Sequence, residues 1–167
     1  MLQIIQLLAA AIGVLLDQWF KKWTVLHIGV GEVKKLIPGI IHLTFVKNDG
    51  AALSMFSGMR WVLLAISAAF VVAGVWALLK KKLTNPLGTW ALAAIISGAA
   101  GNAIDRALFG YVVDMFEFEI VFDFFVFNIA DVFITFGGIA FCLYIIIFEF
   151  AKKPEKPAEI DDGTDNS

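Results

Sequence analysis

The chain has 167 residues, 60% of them hydrophobic and only 17% charged, with a mean hydropathy of +0.83. Soluble domains run at about 45–50% apolar and about 25% charged residues, so a water-soluble single domain is excluded. The net charge of −2 belongs to residues 152–167, where Lys152, Lys153 and Lys156 face Glu155, Glu159, Asp161, Asp162 and Asp165; the remainder is formally neutral and offers no basic face to nucleic acid.

A helix needs about 20 mostly apolar residues to span a bilayer. Four segments meet that length: about 3–23, 61–79, 87–105 and 129–150. The first lacks the basic start of a signal peptide and runs into Trp19, Phe20 and Trp23, an interfacial aromatic belt. It is read as a span. The loop over about 24–60 is rich in Ile, Leu, Thr and Phe from Lys35 to Val46, around Pro38-Gly39, which predicts short strands at the membrane surface. A short lysine loop, Lys80 to Pro86, joins spans two and three. In the loop over about 106–128, Phe116, Phe118, Ile120, Phe122 and Phe124 alternate with Glu117, Glu119, Val121 and Asp123. That period of two predicts an amphipathic strand. The organisation is therefore one transmembrane domain, residues 1–151, followed by a charged, Pro-containing tail, 152–167, expected to be disordered. No internal repeat is visible.

Four spans put both long loops on one membrane face, and the lysine loop and both termini on the other. Basic residues divide almost evenly, but Lys80-Lys81-Lys82 is the denser cluster and assigns its face to the cytoplasm. Of ten acidic residues before the tail, nine then lie at the outer face: Asp17, Glu32, Asp49, Asp105, Asp114, Glu117, Glu119, Asp123 and Asp131. Asp17 and Asp131 fall in or at the edge of apolar spans, where an ionised carboxylate is costly unless it pairs or lines a wet cavity. Toward the same face stand Asn48, Gly50, Gly98, Gly101, Asn102 and Asn128. Amides and small residues can serve merely to hold helices together. So many on one face suggest chemistry instead. Two carboxylates can split the work of hydrolysis, one activating water and the other donating a proton. The rival is a proton- or cation-coupled transporter using Asp17, Asp114 and Asp131; transporters often carry internal repeats and broken mid-membrane helices, and the polar residues here cluster at one face without a repeat. A non-catalytic assembly factor is a third reading.

His27 and His42 stand at no metal-ligand spacing and are read as surface packing. Cys142 is alone, so neither an intrachain disulfide nor a zinc site is expected. Ser54 and Ser57 have no evident base.

Four blocks resemble the lipoprotein signal peptidase (signal peptidase II) family of intramembrane aspartic peptidases. They are Asp17-Gln18-Trp19-Phe20-Lys21; Asn48-Asp49-Gly50-Ala51-Ala52; Gly98 to Arg106 running on to Gly110-Tyr111-Val112-Val113-Asp114; and Phe127-Asn128-Ile129-Ala130-Asp131. The resemblance implies an all-α membrane protein: four transmembrane helices, a small extracytoplasmic β-cradle and a surface helix, with both termini cytoplasmic. It implies an enzyme of the bacterial plasma membrane that cleaves prolipoproteins just before a diacylglyceryl-modified cysteine, surrounded by membrane lipid, as a monomer, with no cofactor and no metal. The catalytic dyad maps onto Asp114 and Asp131. Asn102, Arg106 and Asn128 resemble the family's polar supports, and Asn48 and Gly50 the segment that reaches over the site to the substrate backbone. Asp17 and Lys21, four apart on one helix face, either pin a helix end or serve the site. Asp105 is expected to pair with its neighbour Arg106. The family commonly has an aromatic residue at Leu53, glycine at Ser97, proline at Phe125 and serine at Val132; none of these departures removes a chargeable or amide group.

Overall fold

The computed structural model describes residues 1–50, 57–119 and 125–150. The expected disordered tail, Leu53, Ser54, Asp123 and the far end of the alternating segment lie outside them. Four helices are long and apolar enough to cross a membrane: α1 (Leu2–His27), α2 (Arg60–Leu79), α3 (Pro86–Leu108) and α4 (Ile129–Tyr144). The last runs on into a π-helical segment, Ile145–Phe150, so the fourth predicted span is two kinds of winding end to end.

The helices are built inside out relative to a soluble bundle. The buried stripe of α1 is Gln6, Ala10, Gly13, Asp17, Lys21 and Thr24. Its large apolar side chains, among them Leu8, Ile12, Leu15 and Trp19, are exposed. With lipid outside, apolar surface gains nothing by turning inward, so close backbone approach and polar contacts decide which face is buried. α3 is the central helix and packs against α1, α2 and α4. Its buried face carries Gly88, Ser97, Gly98, Gly101, Asn102 and Asp105. Pro86 opens the helix, and the Asn85 side chain accepts from the Leu87 amide to cap it.

The loop strands join into one antiparallel sheet, ordered β1 (Val33–Ile37), β2 (Ile41–Asn48), β3 (Val112–Phe118) and β4 (Val126–Phe127). The β1–β2 hairpin turns at Pro38-Gly39-Ile40, as the sequence predicts, with Gly39 at φ +75°. The third strand starts earlier than the alternating phenylalanines indicate. It begins at Val112, because pairing with β2 sets its register: Val46 faces Asp114 and Asn48 faces Val112. Ile28, Phe45 and Val113 form the small core that seats the sheet beside the end of α1. Since β1–β2 follow α1 and β3–β4 follow α3, both long loops share one end of the bundle. The start of α2 joins them there, with Arg60 donating to the carbonyls of Arg106 (2.7 Å) and Ala107 (2.8 Å). Among the described residues no further helix corresponds to the expected surface helix.

The tightest crossing is α3 on α4. A Cβ at Gly98 would collide with the Ala130 carbonyl oxygen and with the Ile134 side chain, whereas a Cβ at Gly138 meets nothing within 4 Å. Gly98→Ala therefore destabilises the bundle by about 1–3 kcal/mol, the usual cost of overpacking. Gly138→Ala changes stability by less than about 0.5 kcal/mol. Thermal unfolding of both variants in detergent checks the pair; equal midpoints would contradict the packing.

Candidate active site

The site begins with a helix cap. Asn128 precedes α4, and its Oδ1 accepts from the Asp131 amide (2.9 Å) while Asp131 Oδ2 accepts from the Asn128 amide (3.2 Å). This reciprocal box satisfies two otherwise unpaired backbone donors. It also fixes two side chains. With Oδ1 committed to the cap, Asn128 must turn its Nδ2 outward, and that nitrogen donates to Asp114 Oδ1 at 2.6 Å. Asp131, in the first turn, holds its carboxylate where the helix dipole favours negative charge.

Asp114 reaches the same point from β3. It is 2% exposed, and its Oδ2 accepts from Asn48 Nδ2 (2.9 Å) at the end of the paired strand β2. Burial, followed by the nearby negative charge of Asp131, pushes its carboxyl up to about 7, against the opposing hydrogen bonds from Asn48 and Asn128. A carboxyl raised this far can hold a proton near neutral pH and give it up.

A second layer orients the first. Lys21 Nζ lies 2.9 Å from Asp17 Oδ2 and 3.0 Å from Asp105 Oδ2, all three side chains being at most 3% exposed. It also donates to Asn102 Oδ1 at 2.9 Å. An ammonium has donors only, so the Asn102 oxygen must face it and the amide nitrogen must face away. That nitrogen donates to Asp131 Oδ1 at 2.8 Å. Asn128 Nδ2 also lies 3.2 Å from Asn102 Oδ1, closing the circuit between the aspartates. Asp17 further accepts from the Ala130 amide (2.9 Å), tying α1 to the start of α4. Gly101 allows this approach: a Cβ there would stand 2.6 Å from Asp17 Oδ2.

Asp114, Asp131, Asn48, Asn102 and Arg106 line a cavity of about 450 Å³. One wall is α2, with Leu63, Ile66, Ser67 and Phe70; the other is α4, with Asp131, Ile134 and Thr135; α3 is the floor. Arg106 donates to the Gly50 carbonyl at 2.9 Å, and the Gly50 amide donates to Asn48 Oδ1 at 3.0 Å, so this part of the first long loop sits at the rim. A cleft that is charged at one end and apolar along its walls suits a substrate that is itself a membrane segment with a polar reaction point.

The structure thus brings Asp114, Asp131, Asn48, Asn102, Arg106 and Asn128 around one cavity and puts Asp17 and Lys21 one contact behind it. The pairing expected for Asp105 is corrected. Its carboxylate meets Lys21, Gln18 Nε2 (2.8 Å) and the Val113 amide (3.0 Å), because consecutive helix residues diverge by about 100° and Arg106 points into the cavity instead. Gln18 and Arg60 are structural residues that sequence reasoning missed. Gln18 stood within the first quoted block, the one signal that could have found it. Glu117 and Glu119 flank His42 across the sheet, at 3.8 and 3.0 Å, and all three are away from the cavity. Cys142 is exposed on α4. Among the described residues no cluster of His, Cys, Asp and Glu could hold a metal.

The sequence and the fold both have known counterparts. The family model for signal peptidase (SPase) II matches residues 9–148. A lipoprotein signal peptidase of Lactococcus lactis subsp. cremoris is 42% identical over 118 residues, covering 69% of this chain and 76% of that protein. One from Streptococcus pyogenes serotype M6 is 43% identical over 102 residues, 61% of this chain and 67% of that protein. A bacterial membrane enzyme solved by the in meso method at 2.3 Å resolution superposes with a TM-score of 0.82 at 30% identity, covering 93% of this chain and 94% of its own. A second, solved at 1.9 Å, gives 0.77 at 31% identity over 86% and 94%.

Removing the buried cation leaves two buried carboxylates without a counter-charge. Lys21→Met should therefore cost about 3–5 kcal/mol. Adding Asp17→Asn and Asp105→Asn to it should recover most of the loss. Unfolding midpoints in detergent decide this; a single variant as stable as wild type would show that the ion network contributes nothing.

Proposed function

Because this chain belongs to the signal peptidase II family, we propose that it is an aspartic endopeptidase that removes signal peptides from diacylglyceryl-modified prolipoproteins. The bond cut is the one preceding the lipidated cysteine. The observation that carries this reading is the meeting of two carboxylates through Asn128 at the charged end of an apolar cleft. A signal peptide can enter such a cleft from the lipid without leaving the membrane.

In this reading Asp131 is the base and Asp114 the acid. Asp131 lies at a helix N-terminus and accepts from Asn102 and from the Asn128 amide, all of which favour its negative charge. It takes a proton from a water placed between the carboxyls as the oxygen attacks the scissile carbonyl carbon. Asp114, held near 7 by burial and by Asp131, gives its proton to the carbonyl oxygen. The resulting gem-diol collapses by breaking the C–N bond: the amine nitrogen takes the proton held by Asp131, and one diol hydroxyl returns its proton to Asp114 as the C=O re-forms, which resets both carboxyls. The reaction runs on the two carboxyls and water. Arg106 and Gly50 at the rim, with Asn48, are read as contacts for the substrate backbone. The dense lysine loop supports cytoplasmic termini and a site at the outer face of the bacterial plasma membrane, and the enzyme is read as a monomer.

Two measurements test this. Asp114→Asn and Asp131→Asn should each abolish cleavage of a diacylglyceryl precursor followed on a gel, while the unmodified precursor should be a poor substrate for the wild type. Retained cleavage by either variant would sink the dyad. The pH dependence has a definite sign. Asp114 keeps its proton below about 7 and loses it above, so kcat/KM should fall as pH rises through that value, by about tenfold per unit beyond it. Activity that rises through pH 7 would reverse the acid and base roles.

A further inference from the structure

Below the aspartates the cleft is apolar except for two hydroxyls. Leu63, Ile66, Phe70, Ile95 and Ile134 surround them, with Ser67 on the α2 wall and Thr135 on the α4 wall. Thr135 follows Asp131 by four residues, so it shares that helix face one turn, or about 6 Å, further along. Ser67 lies two turns in from Arg60, which is bound to the end of α3 at the rim. Along the floor, Asn102, which bonds Asp131, stands one turn in from Arg106, so Ser67 lies about one turn below the level of Asn102, as Thr135 lies one turn below Asp131. The two hydroxyls therefore face the cleft at a similar depth from opposite walls.

Neither hydroxyl has a hydrogen-bond partner among the described residues. Ser and Thr in a helix ordinarily bond back to the carbonyl one turn earlier, as Thr89 does to Asn85 (3.2 Å). A hydroxyl left open to hydrocarbon is costly and calls for a partner. The substrate supplies one under the function proposed above. A peptide bond inside a helix is shielded, so the chain before it must unwind to be cut. Unwinding frees backbone N–H and C=O groups at membrane depth, where no water satisfies them. A span of about 6 Å covers roughly two residues of extended chain or four of helix.

We propose that Ser67 and Thr135 form a binding subsite for the substrate backbone about two to four residues before the cleaved bond, each hydroxyl taking a hydrogen bond from the unwound segment. The subsite holds the chain open while the dyad works on the next linkages. It recognises backbone rather than side chains, so it accepts varied signal-peptide sequences. This inference rests on the peptidase reading and adds a contact to it.

The test uses full-length enzyme and a synthetic diacylglyceryl precursor peptide. Ser67→Ala and Thr135→Val are close in shape to the residues they replace and disturb no other contact named here. Each should lower kcat/KM about fivefold and the pair about 25-fold, the scale of one and two neutral hydrogen bonds. Unfolding midpoints and the fall in activity near pH 7 should stay as in wild type. A merely structural role would move the midpoints instead. Replacing successive amide linkages before the cleaved bond by esters, one per peptide, then locates the contact. At the contacted linkage the ester should slow the wild type, and the double variant should lose little more. A double variant that cleaves the amide precursor at the wild-type rate overturns the proposal. So does an ester scan that slows wild type and double variant equally at every linkage. A wild-type enzyme that leaves the lipid-modified precursor intact overturns the peptidase reading first, and this subsite with it.

Discussion

One ammonium group, the Lys21 Nζ, sets the polarity of the whole site. It lies between the buried carboxylates of Asp17 and Asp105, at 2.9 and 3.0 Å, and within 2.9 Å of the Asn102 oxygen. Because it can only donate, it dictates which end of Asn102 faces Asp131. The Asn128 side chain is dictated in the same way by the helix it caps. Two amides that could each have pointed either way are thus locked, and both present N–H groups to the aspartates. Orientation is decided before any substrate arrives, which is the condition for electrostatic help without reorganisation.

That arrangement needs helices close enough for short side chains to meet. Gly98 and Gly101 on α3 supply the space against α4 and α1. In lipid most large apolar residues have no reason to leave the outer surface, so the helix interfaces are rich in small and polar groups, with a few larger side chains such as Leu78 and Ile96. The sheet has a complementary task. It brings Asn48 and Asp114 in from loops that are distant in the chain and holds them against the cap of α4. Burial then raises the Asp114 carboxyl to about 7. The same low dielectric that makes the ion network costly to break lifts this carboxyl toward neutral pH.

The four spans were readable because lipid imposes length and hydropathy on any helix that crosses it. The cap of α4 emerged only with the structure, although Asn128 and Asp131 stand at capping-box spacing and the box is local. The β1–β2 hairpin followed from Pro38-Gly39. The start of β3 did not, because register comes from pairing with β2 rather than from the alternation of Phe116 and Phe118. The pairing of Asp105 also failed from sequence: adjacency along the chain suggested Arg106, while the helix turned the two side chains apart. Arg60 carries no pattern that marks it and Gln18 only its place beside Asp17 in the first motif, since their partners lie 46 and 87 residues away.

The sequence alone determined the four-span membrane protein, the family and the cast of polar residues, because hydropathy and motif order are one-dimensional properties. Only the tertiary structure decided the second layer. It set Lys21 between Asp17 and Asp105, turned the Asn102 amide toward Asp131, and left Ser67 and Thr135 facing a shared cleft from opposite walls. Such pairings depend on how helices rotate and cross at close approach, and spacing along a single chain does not encode which faces meet.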